Sequence, residues 1–283
     1  MDEKFPPMDD KVVLEKYPAL GTGEKQEVER EVLTSDITRL RIPYADVFTS
    51  VFLVGTEEGM LLFDTGSYPA DIEGRILPAL AEIGVPLTHV MLSHTHEDHA
   101  GGLATLLAHH PGVTVVAGSN AIARKHEGLA LSVVRDGDIL LGVLRVVSIP
   151  GHTTDSVGLL DTRTGTLLSG DGLQLYGLFA AEPWGANISF PAAHLAALDR
   201  LAALPIAAIY PAHAYHPLGD AYIGEEGVFR ALALSREPLL LMRDMLLASP
   251  EKSDVALAAA YNAQDLPRVT PTAFAAIRRD LLR

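Results

Sequence analysis

The chain has 283 residues, a formal net charge of −14 and no cysteine. That length suits one large domain or a core with a modest extension, and a hydrophobic fraction of 48% supplies a core that a disordered chain would lack. Without cysteine there is no disulfide, thiolate ligand or cysteine nucleophile, and the acidity opposes a nucleic-acid footprint, which needs clustered lysine and arginine. No apolar run reaches the length of a membrane span. The start, MDEKFPPMDDK, has acids and prolines where a signal peptide needs a basic start and an apolar core, so a cytoplasmic setting is expected.

Residues 1–36 are acidic and polar and read as a lead-in. From Ile37 the pattern tightens into strands at 37–42, 50–54 and 60–63, with Glu57-Glu58-Gly59 turning between the last two and Asp64-Thr65-Gly66 closing the third. Apolar residues at 72, 76, 77, 80 and 83 predict a helix over 71–83, ended by Gly84 and Pro86. A strand at 89–92 runs into Ser93-His94, and a helix follows over 98–109. A strand at 113–117 and a short helix capped by Ser119 come next. Strands at 131–134, 140–149, 156–161 and 166–169, a helix at 191–203 and a strand at 206–210 complete a core over 37–222. This order fits two packed sheets with helices outside better than a parallel βαβ array. Residues 223–283 read as a wholly helical extension packed on that core, with helices at 225–247, 253–261 and 272–282. The apolar run Leu239-Leu240-Leu241-Met242 fits either the core or a partner copy, so a homo-oligomer stays open.

The strongest local signal is Ser93-His94-Thr95-His96-Glu97-Asp98-His99, directly after an apolar strand and before Ala100-Gly101-Gly102. In extended backbone alternate side chains share a direction, so His94 and His96 can face one metal. Entry into a helix at Asp98 turns Asp98 and His99 toward a neighbouring position, and the glycines let backbone pass close by. Three more strand ends deliver ligand-type residues: His152 in Pro150-Gly151-His152-Thr153, Asp171 in Gly170-Asp171-Gly172 and His213 in Pro211-Ala212-His213. A solvated histidine-rich loop does not explain that repetition.

The set resembles the metallo-β-lactamase superfamily, which carries a histidine-x-histidine-x-aspartate-histidine motif, then a histidine, a bridging aspartate and a last histidine, with an early aspartate-threonine-glycine turn. The resemblance covers about residues 37–216 and implies an α+β fold, the four-layer αββα sandwich, with metals at one edge. By motif it implies that His94, His96 and His152 hold one divalent ion, and that Asp98, His99 and His213 hold a second. Asp171 would bridge them, and Asp64 would orient a ligand or a water from behind. Histidine and carboxylate donors suit zinc first, with manganese or iron as alternatives. Glu97 takes the variable position and faces away. Ala212-His213-Ala214 departs from the glycine-histidine-glycine of many members and allows less backbone freedom. A β-lactamase proper is disfavoured, because one branch needs a cysteine ligand and the branches lack the bridging aspartate.

The chemistry so implied is hydrolysis, in which two cations lower the pKa of a shared water from about 15.7 toward about 7. The expected substrate is a small ester, lactone or thioester, with a phosphodiesterase or ribonuclease, or a non-catalytic metal-binding protein, as the alternatives. Asp98 is a candidate proton relay. Tyr176 is a candidate donor to a developing oxyanion, and His216 a candidate substrate contact or proton-transfer group. Phe179, Trp184 and Tyr68 are possible pocket walls. Neither nucleic acid nor membrane is an expected partner.

Overall fold

In the computed structural model the described residues are 29–44, 47–124, 126, 128–175, 177–179, 182–184, 187–215, 219–264 and 269–282. The lead-in at 1–28 therefore lies outside them, while its last residues form β1 (Glu29–Val32), which pairs antiparallel with β2 (Ile37–Tyr44). Next in the first sheet come β3 (Val47–Thr56), β4 (Gly59–Phe63), β5 (Leu87–Leu92), β6 (Thr114–Ala117) and β7 (Leu131–Val133), in chain order. The pairs from β4 to β7 are parallel. The second sheet runs β15 (Tyr222–Ile223), β14 (Ala208–Pro211), β11 (Thr166–Gly170), β10 (Val157–Asp161), β9 (Leu144–Ser148) and β8 (Ile139–Leu140). In that sheet the β11–β14 pair is parallel. A small hairpin, β12 (Gly177–Phe179) with β13 (Glu182–Trp184), stands apart.

Four layers follow from strands that are apolar on both faces. Successive side chains of a strand point to opposite sides. In β3, Phe52 and Val54 join the cluster between the sheets, while Val51 and Leu53 join the cluster under the outer helices. Leu61 and Phe63 of β4, Met91 of β5 and Val116 of β6 point inward likewise, against Leu144, Val146, Leu159, Leu168 and Tyr210 of the second sheet. The outer face of the second sheet, with Val147, Leu160, Leu167 and Ile209, packs on α5 (Pro191–Ala202) and α6 (Gly224–Ala248).

Several helices differ from the periodicity-based reading. The predicted 71–83 helix begins as α1 (Pro69–Asp71), passes through a π-helical turn (Ile72–Ile76) and ends as α2 (Leu77–Ile83). Asp71 sits inside that first turn because its buried carboxylate accepts the Ser67 and Tyr68 amides and the Arg75 guanidinium. The helix predicted over 98–109 is two, α3 (Glu97–Ala100) and α4 (Leu103–His109), broken at Gly101-Gly102. The strand predicted over 140–149 splits where Leu141 and Gly142 take left-handed backbone with φ of 47° and 70°. The helix after Ser119 shrinks to a 3₁₀ turn (Ile122–Arg124).

Leu239 and Met242 of α6 are buried in their own chain, with Leu257 and Tyr261 of α7 (Asp254–Asn262) and Phe274 and Ile277 of α8 (Pro271–Leu281). Leu195 of α5 touches both this cluster and the one on the second sheet. The C-terminal helices thus share side chains with the sandwich. No helix among the described residues is long and apolar enough to cross a membrane.

Phe52 is fully buried between the sheets, with its ring 6.2 Å from that of Phe63. Phe52→Ala is expected to cost about 3–5 kcal/mol, through lost burial and a cavity that the packed sheets cannot close. Denaturant unfolding of the two proteins would measure it, and a loss under about 1 kcal/mol would contradict this packing.

Candidate metal centre

Each candidate ligand follows a strand end at the edge where the two sheets meet. Asp64 follows β4 and His94 lies two residues beyond β5. His96 is the N-cap of α3 in extended backbone (φ −68°, ψ 155°), and Asp98 and His99 lie on α3 itself. The extended stretch therefore turns His94 and His96 one way, and the helical turn swings Asp98 and His99 aside, as the spacing predicts. His152, Asp171 and His213 follow β9, β11 and β14. Backbone bonds join the sheets here: the Val157 amide donates to the Ser93 carbonyl at 2.9 Å, and the Ser50 amide to the Ala212 carbonyl at 2.6 Å.

The seven residues converge in two groups. His94, His96, His152 and Asp171 offer ligand atoms within 4.8 Å of one another, and so do Asp98, His99 and His213. Asp171 reaches both groups: Oδ2 lies 3.4 Å from His152 Nε2, while Oδ1 lies 3.2 Å from His213 Nε2 and 3.5 Å from His99 Nε2. Asp98 Oδ2 lies 3.2 Å from His99 Nε2 and 3.4 Å from His213 Nε2. The His94 and His99 rings, one from each group, have centroids 4.2 Å apart.

The outer nitrogen of each ring decides which nitrogen faces inward. His152 Nδ1 lies 2.8 Å from the Asn187 carbonyl, and His213 Nδ1 lies 2.7 Å from that of Phe48. A carbonyl only accepts, so both Nδ1 atoms carry hydrogen and it is Nε2 of each ring that faces the site. Asp64 Oδ2 takes a bond from His99 Nδ1 and another from Ser93 Oγ, both at 2.8 Å. Having donated its hydrogen, Ser93 Oγ accepts from His94 Nδ1 at 3.0 Å. His96 is turned the other way, with Nδ1 only 2.9 Å from His152 Nε2. Two imidazole nitrogens meeting at that distance suit a shared cation. So do His94 Nε2, His99 Nε2 and Asp171 Oδ1, which are buried and, among the described residues, meet no partner in hydrogen-bonding geometry. This donor set fits divalent ions that accept nitrogen and oxygen ligands.

Electrostatics divides the two groups. Burial holds His94 well below the ordinary histidine pKa, and neighbouring imidazoles add to the effect. His96 is lowered the same way, by burial first and then by His152. Burial also opposes charge on His99 and His213, but the carboxylates outweigh it. Asp64, Asp171 and Asp98 raise His99 well above its usual value, and Asp171 and Asp98 lift His213 to about 10. Conversely, burial would raise Asp98 and Asp171, yet His99 and His213 hold both carboxyls well below the usual range.

Two backbone features seat the ligands. Asp64 takes a left-handed φ of 66°, rare outside glycine and tolerated by aspartate, which turns its carboxylate under His99. A β-carbon on Gly101 would lie 2.2 Å from the Ser67 carbonyl, and one on Gly102 2.3 Å from that of Thr65. The helix carrying Asp98 and His99 therefore lies directly on the loop that carries Asp64, joined by the Thr65 amide to the His99 carbonyl at 2.7 Å. Glu97 is exposed, and so is His96 among the candidate ligands. Tyr176 and His216 lie outside the described residues, as do the side chains of Phe179 and Trp184. Tyr68 is 55% exposed.

Apart from Asp64, the groups that orient the candidate ligands are not named by the sequence pattern. Thr49 Oγ1 donates to Asp98 Oδ2 at 3.1 Å, and the carbonyls of Phe48 and Asn187 fix two histidines. A backbone carbonyl has no sequence signature. Ser93, beside the first ligand, was the one partner whose position could have signalled it.

A family model described as the metallo-beta-lactamase superfamily matches residues 44–213, and the chain belongs to that superfamily. The lactamase-like protein adaB of Aspergillus niger is 29% identical over 168 residues, 58% of this chain and 49% of the relative. A thioesterase of Emericella nidulans, pkgB, is 30% identical over 184 residues, 62% of this chain and 47% of the relative. The chain thus spans about half the length of these curated relatives. Among solved structures, a metallo-beta-lactamase family protein from Thermus thermophilus superposes with a TM-score of 0.59 at 22% identity, covering 87% of this chain and 92% of that one. A metallo-beta-lactamase from Erythrobacter litoralis gives 0.57 at 21% identity, covering 76% and 98%. At those identities the likeness is one of fold.

The raised pKa values of His99 and His213 fix the sign of a binding experiment. In metal-free protein at neutral pH these rings hold protons that an incoming cation must displace. Zn²⁺ added to metal-free protein in weak buffer at pH 7 is expected to release protons, and its apparent affinity to rise with pH and fall as pH is lowered. An indicator-dye titration would read this, and binding without proton release, or affinity independent of pH, would contradict the arrangement.

Proposed function

We propose that this protein hydrolyses a small ester, lactone or thioester in a site that holds two divalent cations, zinc first among the candidates and manganese or iron as alternatives. The observation that carries the reading is the Asp171 carboxylate, with one oxygen toward His152 and the other toward His99 and His213. A single cation would need no such two-sided acceptor. Divalent ions bound there would supply Lewis acidity and acidify water from a pKa of about 15.7 toward about 7.

The residues supply the rest. His94, His96 and His152 would hold one ion, and Asp98, His99 and His213 the other, with Asp171 shared between them. Asp98 and Asp171 stay ionised and offset the charge of the cations. Thr49 fixes Asp98 by a hydrogen bond, which keeps that carboxylate placed as a candidate relay for the proton that passes from the attacking water to the leaving group. Asp64 holds His99 from behind and never faces substrate, because both its oxygens are engaged by Ser93 and His99. The open side of the site is at His96, the exposed ligand, so substrate approaches there. Tyr176 and His216 remain candidates for contacts at that mouth.

Among the three substrate classes, the thioesterase relative favours a thioester. The charge of −14 disfavours a polyanionic nucleic acid. The test is a hydrolysis panel on metal-free protein reloaded separately with zinc, manganese and iron, offering an acyl thioester, a lactone, an aryl ester and a bis-aryl phosphodiester. Turnover of at least one of the first three is expected. Asp171→Asn is expected to lower kcat/KM by about 100-fold or more, at or beyond the 10–100-fold loss typical of removing an outer partner of a ligand. Turnover of the phosphodiester alone would move the assignment to phosphate chemistry. A fully loaded protein inert on the whole panel would remove the enzyme reading.

A further inference from the structure

The mechanism makes no use of a buried polar chain that runs from the metal centre into the C-terminal helices. Gln174 is fully buried three residues beyond Asp171. Its amide nitrogen donates to the Asp171 carbonyl at 3.3 Å, and its amide oxygen accepts the Asn187 backbone N–H at 3.2 Å. The Asn187 carbonyl in turn accepts His152 Nδ1 at 2.8 Å. One side chain therefore braces the backbone of the shared carboxylate and the peptide that sets the His152 ring. Asn187 itself is exposed, and among the described residues its hydrogen bonds run through its backbone.

The other end of Gln174 is tied just as firmly. Its carbonyl accepts Ser235 Oγ of α6 at 2.8 Å, and Ser235 Oγ lies 2.8 Å from His194 Nε2 of α5. As Ser235 has given its hydrogen to Gln174, it accepts from His194. Both residues are fully buried. The His194 ring also closes the space beside Gly151, where a β-carbon would meet its Nδ1 at 2.4 Å. His152 is thus held from two directions, through Asn187 and through its neighbour Gly151.

We infer that Gln174 is a positioning residue for the His94, His96 and His152 set, and that Ser235 and His194 anchor it to helices outside the ligand loops. The inference rests on the two-cation reading. It acts more strongly on that set, because it fixes the His152 ring through Asn187 as well as bracing the shared Asp171, whereas the ring partners of His99 and His213 are Asp64 and the Phe48 carbonyl, which Gln174 does not touch. A buried amide whose partners are all fixed orients them more strictly than a solvated one, since no water can replace a lost bond.

The test uses Zn²⁺ and a competing chromophoric chelator on the full chain. His213→Ala isolates the set of interest, and His96→Ala isolates the other. Gln174→Met fills the same volume without either hydrogen bond, and Ser235→Ala removes the anchor one bond further away. Gln174→Met is expected to weaken Zn²⁺ about tenfold or more in the His213→Ala background, within the range typical of outer-partner loss, and by a clearly smaller factor in the His96→Ala background, where only the bracing of Asp171 is lost. Ser235→Ala is expected to act on the same set, more weakly. Asn187→Ala is expected to change neither, because only its backbone is used.

A merely structural role would weaken both sets together. Equal loss at both sites, or no loss, in whichever of the two variants keeps the wild-type circular dichroism would overturn the inference. If the wild-type chain bound no Zn²⁺, the metal reading itself would fall, and this inference with it.

Discussion

Bringing five imidazoles and two carboxylates out of water into contact is unfavourable unless something charged is shared among them. That constraint explains why so few polar groups near the site are left to chance. Asp64 meets His99, Ser93 meets His94, and peptide carbonyls meet His152 and His213. Each bond consumes the outer nitrogen and turns the other one inward, so the rings have little rotational freedom left. Among the candidate ligands, His94 Nε2, His99 Nε2 and Asp171 Oδ1 are aimed at the centre and have no hydrogen-bond partner among the described residues. In a buried site such omissions mark what the polypeptide leaves for a ligand to complete.

The sandwich makes this convergence possible by ending its strands at one edge. β4, β5, β11 and β14 are central strands, apolar on both faces, and are held from each side by side chains that cannot shift without opening a cavity. Their C-terminal ends inherit that rigidity. Direct backbone bonds between Ser93 and Val157, and between Ser50 and Ala212, then pin the two sheets to each other beside the ligands. A site assembled from loops of five different strand ends thereby behaves as part of the core.

The helices after the second sheet belong to the same economy of placement. Leu195 packs both on the sheet and on the C-terminal cluster, and Ser235 reaches from α6 to the Gln174 carbonyl. Leu239 and Met242, which in the sequence suit a partner copy as well as the core, are covered within the chain, while Phe229, Leu247 and Val255 stay exposed.

Much of the fold and most of the candidate ligands were legible in the sequence, because both rest on local chemistry. Period-two and period-3.6 patterns mark strands and helices, and a histidine or aspartate beside glycine or proline at a strand end is visible without a structure. The errors fall where tertiary contacts override local pattern: Gly101-Gly102 breaks a predicted helix so that α3 can lie on the Asp64 loop, and Leu141 turns back a predicted strand. The amino-acid order by itself determined which donors exist and roughly where they leave their strands. Only the tertiary structure decided which ring nitrogen faces inward, which oxygen of Asp171 serves which set, and that Thr49, Phe48, Asn187 and Gln174 stand behind them. Those outcomes depend on backbone carbonyls and long-range register, which carry no residue-type signature along the chain.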